Sequence, residues 1–325
     1  MTGDTVLLIG LGDNKVCLNT ATLYTIQDKI EKDYGTDSFF TEAWKVLNNL
    51  FDADQIYVLN LDSWDDLQDQ EDLLQQNQFT YIVPLGLYLN DSYHNIFEDK
   101  QYYYSQLLAW MAHGAFSTII FTGKHASGFT TLTEYLDYEK QVLDEVAPSF
   151  QNLERENVIY VGNCLNAYPY ANVIVAGMLL GDVGEYPTAD NLYEARFDID
   201  WCDVPFDLVF FRNGYLTGTT VENLMNFSSD PFRKPVTVDR ILKYIRSHWP
   251  DMSQFIGTAF TQYKMAKIYE IADTFLASLV DWILYKYQIT GMTSVQNQDG
   301  TVSIHISYDI WPHFTTEKFS DEVIL

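Results

Sequence analysis

Apolar residues along this chain come in two rhythms. Apolar-rich segments of six to eight residues occur at 5–12, 55–61, 79–85, 117–122 and 157–162, which is the signature of strands buried on both faces. Between them the spacing changes to three and four. It predicts a helix closing on Tyr34, with Thr25 as its cap and Gly35 as its stop, and further helices at 39–50, 100–115, 132–146 and 169–180. Residues 62–74 read as an acidic helix or a solvated connector. Strands alternating with helices imply a mostly parallel sheet covered on both faces. From 181 to 231 the pattern is irregular, with Pro187, Pro205 and one short strand expected at 208–211.

A different pattern begins near Asp230. Val238, Ile241, Leu242, Ile245 and Trp249 share one face of an expected helix, capped by Thr237 and stopped by Pro250. A long helix is expected at 262–288, then strands at 291–296 and 301–310 around the turn pair Asp299-Gly300. The chain ends on the apolar tail Glu322-Val-Ile-Leu325, a liability unless another strand pairs with it. The fold class expected is therefore α/β, a mostly parallel sheet flanked by helices, followed by a smaller α+β domain with a terminal β-hairpin.

Charge singles out that second region. The chain holds 19 Lys+Arg against 45 Asp+Glu, a net charge of −26. Residues 231–270 nevertheless carry seven basic residues against three acidic ones, so this window is +4 and the rest −30. On the helix, Arg240, Lys243 and Arg246 lie off the apolar stripe, with Arg233 and Lys234 just before it. Self-repulsion makes such a segregation worth explaining.

The acidic balance disfavours nucleic acid and anionic membranes as partners. The longest apolar stretch, 271–287, is interrupted by Asp273, Asp281 and Lys286, and Met1-Thr-Gly-Asp4 lacks the basic start of a secretory signal. Cys17, Cys164 and Cys202 have no paired spacing and read as free thiols of a reducing compartment. The chain has 23 Tyr, a residue that serves equally at core edges and between subunits.

Two glycine loops follow strands. Gly10-Leu-Gly-Asp-Asn-Lys15 lacks the third glycine of a dinucleotide fingerprint, and Gly123-Lys-His-Ala-Ser-Gly128 places its Lys before the last glycine, the reverse of a phosphate loop. Each reads as an ordinary strand-to-helix turn, with a nucleotide-binding α/β enzyme using Gly10/Gly12 or Gly123/Gly128 as the alternative. His94, His113, His125, His248, His305 and His313 include no pair at metal-ligand spacing. No catalytic residue, cofactor or metal is expected.

Taken in order, these segments resemble contractile-tail sheath proteins of bacteriophages and related injection machines. The run at 6–12, the helix end Lys32-Asp-Tyr-Gly35 and the strand at 55–61 are similar to the family's opening. Tyr168-Pro-Tyr-Ala-Asn-Val-Ile-Val-Ala-Gly177 and Tyr186-Pro-Thr-Ala-Asp-Asn191 resemble its middle segment. Lys234-Pro-Val-Thr-Val-Asp-Arg-Ile-Leu-Lys-Tyr-Ile245 is similar to its basic helix, and Trp311-Pro-His-Phe-Thr-Thr-Glu-Lys-Phe319 to its closing segment.

The resemblance implies three parts: an N-terminal α/β part of the sheath core at 1–78, a subtilisin-like sheath domain without protease residues at 79–230, and a sheath C-terminal domain at 231–325. It implies a non-enzymatic subunit of a tail. It implies that copies stack as hexameric rings around an inner tail tube, meet baseplate and tail terminator proteins, and contract without a nucleotide. It further implies that Arg233, Lys234, Arg240, Lys243 and Arg246 face the tube, and that Val323, Ile324 and Leu325 form an inter-subunit strand. Only five residues precede Val6, where the family usually has an arm, so the mesh is expected to use the C-terminal strand differently or the chain to serve as a collar or baseplate component.

Overall fold

The structure is a computed structural model. It describes residues 4–75, 79–88, 100–111, 117–122, 158–161, 171–180, 236–255, 261–297, 302–313 and 318–324, with isolated positions at 134, 137, 138 and 141. Of the predicted helix at 132–146 only those four positions are described, all of them helical, while the strand at 208–211, the loop Gly123–Gly128, and Arg233, Lys234 and Leu325 lie outside these residues. The chain divides into two compact units, one of Met1–Gly181 with Tyr186–Val236, the other of Asp182–Glu185 with Thr237–Leu325.

The first unit is built on one sheet, made of β1 (Val6–Gly10), β2 (Thr22–Tyr24), β3 (Ile56–Asn60), β4 (Tyr81–Pro84), β5 (Thr118–Thr122) and β6 (Val158–Val161). Their order is β2-β3-β1-β4-β5-β6. Every pairing from β3 to β6 is parallel, and β2 runs antiparallel along β3. The continuous apolar runs are explained by this placement, because β1 is wholly buried on both faces.

Alternate residues feed two cores. Val6, Leu8, Val58, Val83, Ile120 and Ile159 pack with α1 (Gln27–Tyr34), α2 (Phe39–Phe51) and α5 (Ala171–Met178). Leu7, Ile9, Leu59, Ile82, Ile119 and Tyr160 pack with a 3-10 helix (Trp64–Gln70), α3 (Glu71–Gln75) and α4 (Lys100–Met111). The sheet thus joins strands from 1–78 and from 79–230 in one hydrogen-bonded layer.

Local chemistry sets the element ends, not always as predicted. Gly35 terminates α1 at φ +94°, its N–H reaching Glu31 O at 2.8 Å. Thr25 does not cap that helix; Ile26 is its N-cap, with no side-chain bond. Ser38 caps α2, accepting the Thr41 N–H at 3.1 Å. In the acidic connector Ser63 and Asp66 form a reciprocal capping box, and Leu67 and Leu74 anchor it to the core.

The second unit holds α6 (Val236–Ser247), α7 (Gln262–Ser278), β7 (Leu284–Gln296), β8 (Val302–Pro312) and β9 (Phe319–Ile324). The strands form an antiparallel sheet in the order β7-β8-β9. The expected hairpin is formed, with Gln296 opposite Val302, and the terminal strand adds to it. Two expectations are corrected. The helix starts at Val236, so Thr237 lies in its first turn and is not its cap. The second helix ends at Ser278 rather than at 288, although the buried spacing of Ile268, Ala272 and Leu276 runs on through Leu279 and Ile283. Asp281 then turns the chain at φ +68°, and residues from Leu284 on pair with β8.

Candidate functional site: the basic helix and the terminal strand

Helix α6 is anchored by the stripe read from its sequence: Val238, Ile241, Leu242 and Ile245 are buried with Leu276, Leu279, Tyr308, Ile310 and Phe319. Trp249 stacks on Tyr308 with ring centroids 5.8 Å apart and meets Phe275 edge-on at 5.5 Å. What the sequence did not disclose is where the charged side goes. Arg240 is only 7% exposed and Asp239 4%. Lys243 Nζ lies 2.7 Å from Asp239 Oδ2, one turn earlier. Arg246 donates from Nε to Asp321 Oδ2 at 3.0 Å and from Nη2 to Oδ1 at 2.5 Å. The helix therefore does not present Arg240, Lys243 and Arg246 as a free cationic face. Lys243 and Arg246 meet carboxylates of their own unit, because a buried charge without a partner costs far more than a paired one.

Those contacts fasten the terminal strand. Asp321 also accepts the Tyr308 hydroxyl at 2.7 Å. One residue further, Glu322 lies 3.2 Å from both His305 Nδ1 and Ser307 Oγ. Asp309 of β8 accepts Lys318 Nζ at 2.9 Å and Ser320 Oγ at 2.6 Å. Burial pushes the Asp309 carboxyl up, but these two hydrogen bonds and the Lys318 charge outweigh it and hold the group below the usual carboxylate range. Val323 and Ile324 stand in β9 opposite Ile306 and His305 of the same chain. The tail is thus paired through Glu322, Val323 and Ile324, and β9 and β7 form the two edges of the sheet.

The first unit's glycine loop is occupied by the chain itself. In an open parallel sheet a ligand is expected beyond the strand ends where the chain reverses direction along the sheet. Here that place lies between β1 and β4, next to Gly10 and Gly12. A Cβ on Gly10 would meet Leu85 O at 2.9 Å and the Phe39 ring at 3.1 Å; one on Gly12 would meet Asn60 Oδ1 at 3.0 Å and the Phe40 ring at 3.1 Å. Asn60, fully buried, accepts the Gly12 N–H at 2.7 Å and donates to Asn14 O at 2.8 Å and Val16 O at 3.2 Å. The amide a nucleotide phosphate would need is spent on this loop, and the space is filled by Phe39 and Phe40. Among the described residues no His/Cys/Asp/Glu group is arranged to hold a metal, and no helix is long and apolar enough to cross a membrane.

A mostly parallel sheet flanked by helices, with a separate three-stranded antiparallel sheet, is a fold this chain shares with solved sheath and baseplate chains. The likeness to solved structures covers nearly the whole chain. A chain of the anti-feeding prophage baseplate, solved by cryo-EM with six-fold symmetry, aligns with a TM-score of 0.59 at 10% identity, over 98% of this chain and 93% of that one. The sheath tail protein of Listeria innocua aligns with a TM-score of 0.54 at 11% identity, over 100% and 95%. A chain of the anti-feeding prophage baseplate in its contracted state gives 0.55 at 10% identity, over 99% and 90%. No family model matches the sequence, and no curated protein does.

Proposed function

We propose that this chain is a structural subunit of a contractile tail sheath, non-enzymatic, that assembles with its own copies as stacked hexameric rings around an inner tube and shortens to drive that tube through a cell envelope. The observation that carries this is the whole-chain likeness to a sheath tail protein in both units, and not in one shared domain alone. Its place would be the tail of a phage particle or injection system, where its other partners are the baseplate and tail terminator proteins. Sheath domains at 1–78, 79–230 and 231–325 remain the division of labour proposed. Purified protein, concentrated and examined by sedimentation, should form large closed or helical assemblies; a chain that stays monomeric at every concentration speaks against the proposal.

Tube contact through Arg233, Lys234, Arg240, Lys243 and Arg246 belongs to this proposal in a modified form. Lys243 and Arg246 already hold carboxylates, so a tube carboxylate would replace Asp239 or Asp321 instead of neutralising a free charge. Such an exchange is nearly neutral in energy, which suits a contact that must break on contraction. The terminal strand at Val323, Ile324 and Leu325 is proposed to knit subunits through the outer edge of β9, since an edge strand offers unpaired backbone groups to another chain.

A second reading has its own support. Two of the similar chains come from baseplate assemblies, so a sheath-like baseplate or collar component is the alternative. Copy number per particle separates them: a sheath is present in many rings, a baseplate component in one or two.

A further inference from the structure

We infer that β9 is a releasable strap. It lifts from β8 as one piece while the rest of the second unit stays folded, and charged side chains, more than apolar burial, set how often it lifts. The inference concerns the single chain and does not depend on the sheath reading.

Strand β9 has little apolar attachment. It stands at the sheet edge and pairs with β8 alone, from Phe319 to Ile324, whereas β8 pairs with β7 along its whole length from Val302 to Pro312. Of its six residues, Phe319 is the one buried apolar side chain. Val323 is half-buried and Ile324 is 61% exposed. The other position turned to the core is Asp321. A segment with so few buried apolar contacts opens at a lower free energy than the core it leaves.

Polar contacts take the place of apolar ones, and they lie on both faces of the strand. On the inner face Asp321 accepts from Arg246 of α6 and from Tyr308 of β8. On the outer face Glu322 lies against His305 and Ser307, and Asp309 of β8 accepts from Ser320. Lys318, just before the strand, donates to the same Asp309. Lys318, Ser320, Asp321 and Glu322 are thus each fastened through a carboxylate.

These clasps can be undone cheaply. The Arg246 and Lys318 side chains are 30% and 50% exposed, so dissolved ions reach them and screen the pairs. Lifting β9 also returns Asp321 and Glu322 to water, which solvates them, so the open strand carries no buried charge. Removing Arg246 from the closed strand has the opposite effect and drives β9 open. Salt does not weaken apolar burial in this way, so ionic strength should loosen β9 and spare the β7–β8 pairing.

Limited digestion of the full chain with trypsin tests this. The Lys318–Phe319 bond lies at the entry to β9. A protease must draw residues on both sides of a bond into its cleft, so this one is cut when β9 has lifted, and the released Phe319–Leu325 peptide is counted by mass spectrometry. The Lys286–Tyr287 bond in β7 reports opening of the sheet as a whole. Each rate is taken relative to a synthetic peptide spanning the same bond, which removes effects on the protease. Cleavage after Lys318 is expected to be about ten-fold faster than after Lys286, or more. It should rise about three-fold between about 20 mM and about 500 mM NaCl, with no rise after Lys286. Arg246→Gln should raise it by about ten-fold or more. Glu322→Gln, on the exposed face where it cannot unfold the unit, should raise it by about two-fold. Equal rates after Lys318 and Lys286 in wild type would mean that β9 opens only when the unit unfolds, and would overturn the strap. A Lys318 rate indifferent to both salt and Glu322→Gln would overturn its control by charge.

Discussion

Arg246 and Asp321 tie the first helix of the C-terminal unit to its last strand, with a two-pronged pair at 3.0 and 2.5 Å around a carboxylate that is 1% exposed. Removing the arginine takes a two-pronged, charge-assisted partner from that buried carboxylate. Arg246→Ala is therefore expected to destabilise this unit by about 2–4 kcal/mol, the lower part of the range for broken buried pairs because Arg246 itself reaches solvent. Denaturant unfolding measures it. The same variant tests assembly poorly, since loss of tube contact and loss of the strand would look alike.

Asn60 is the centre of the glycine loop, and its carboxamide is used in both directions. Asn60→Asp keeps the acceptor for Gly12 but loses both donors and adds a buried charge. A cost of about 2–4 kcal/mol is expected, read from the shift in urea midpoint. Isothermal titration of the wild type with ATP or NAD should show no saturable binding, because the loop amide is already taken.

Gly177 faces Phe51 where α5 crosses α2, and a Cβ there would fall inside the Phe51 ring. Helix propensity alone would favour alanine by about 1 kcal/mol. Overlap with a packed ring should win, so Gly177→Ala is expected to destabilise by about 1–3 kcal/mol. Combining it with Phe51→Leu should recover part of that loss in a double-mutant cycle.

The second unit should lose stability at both ends of the pH scale. Burial, then the hydrogen bond to Asp273, pushes the Tyr287 phenol up to about 12. A raised folded value means that this contribution is intact below the unfolded value of about 10 and disappears between there and about 12. Asp309 is depressed, so its contribution is present above about 4 and lost as pH falls through its folded value. Tyr287→Phe should flatten the alkaline limb and Asp309→Asn the acid limb of a stability–pH curve followed by tryptophan fluorescence.

Much of the fold was legible because burial writes itself into the sequence. The apolar runs at 5–12, 55–61, 79–85, 117–122 and 157–162 each contain one parallel strand of the sheet. Hydrophobic spacing also identified the stripe that anchors α6. Partnership was not legible. Arg246 and Asp321 are far apart in sequence, and no local pattern says that one neutralises the other. The basic helix therefore read as an exposed face, whereas Val238, Asp239, Arg240, Ile241 and Leu242 are all buried. The overlong second helix has a similar cause, since 279–288 keeps enough apolar spacing to suit either state and only pairing with β8 decides it. The exposure of Trp282 and Tyr285 was not legible either, since nothing local in the sequence separates them from buried Leu284.

Negative-stain electron microscopy of the concentrated chain, alone and co-expressed with a tail tube protein, tests the central claim most directly. The account predicts six-fold rings or striated tubes whose width exceeds that of the bare tube. Monodisperse single particles under both conditions, with the tube left undecorated, would contradict it.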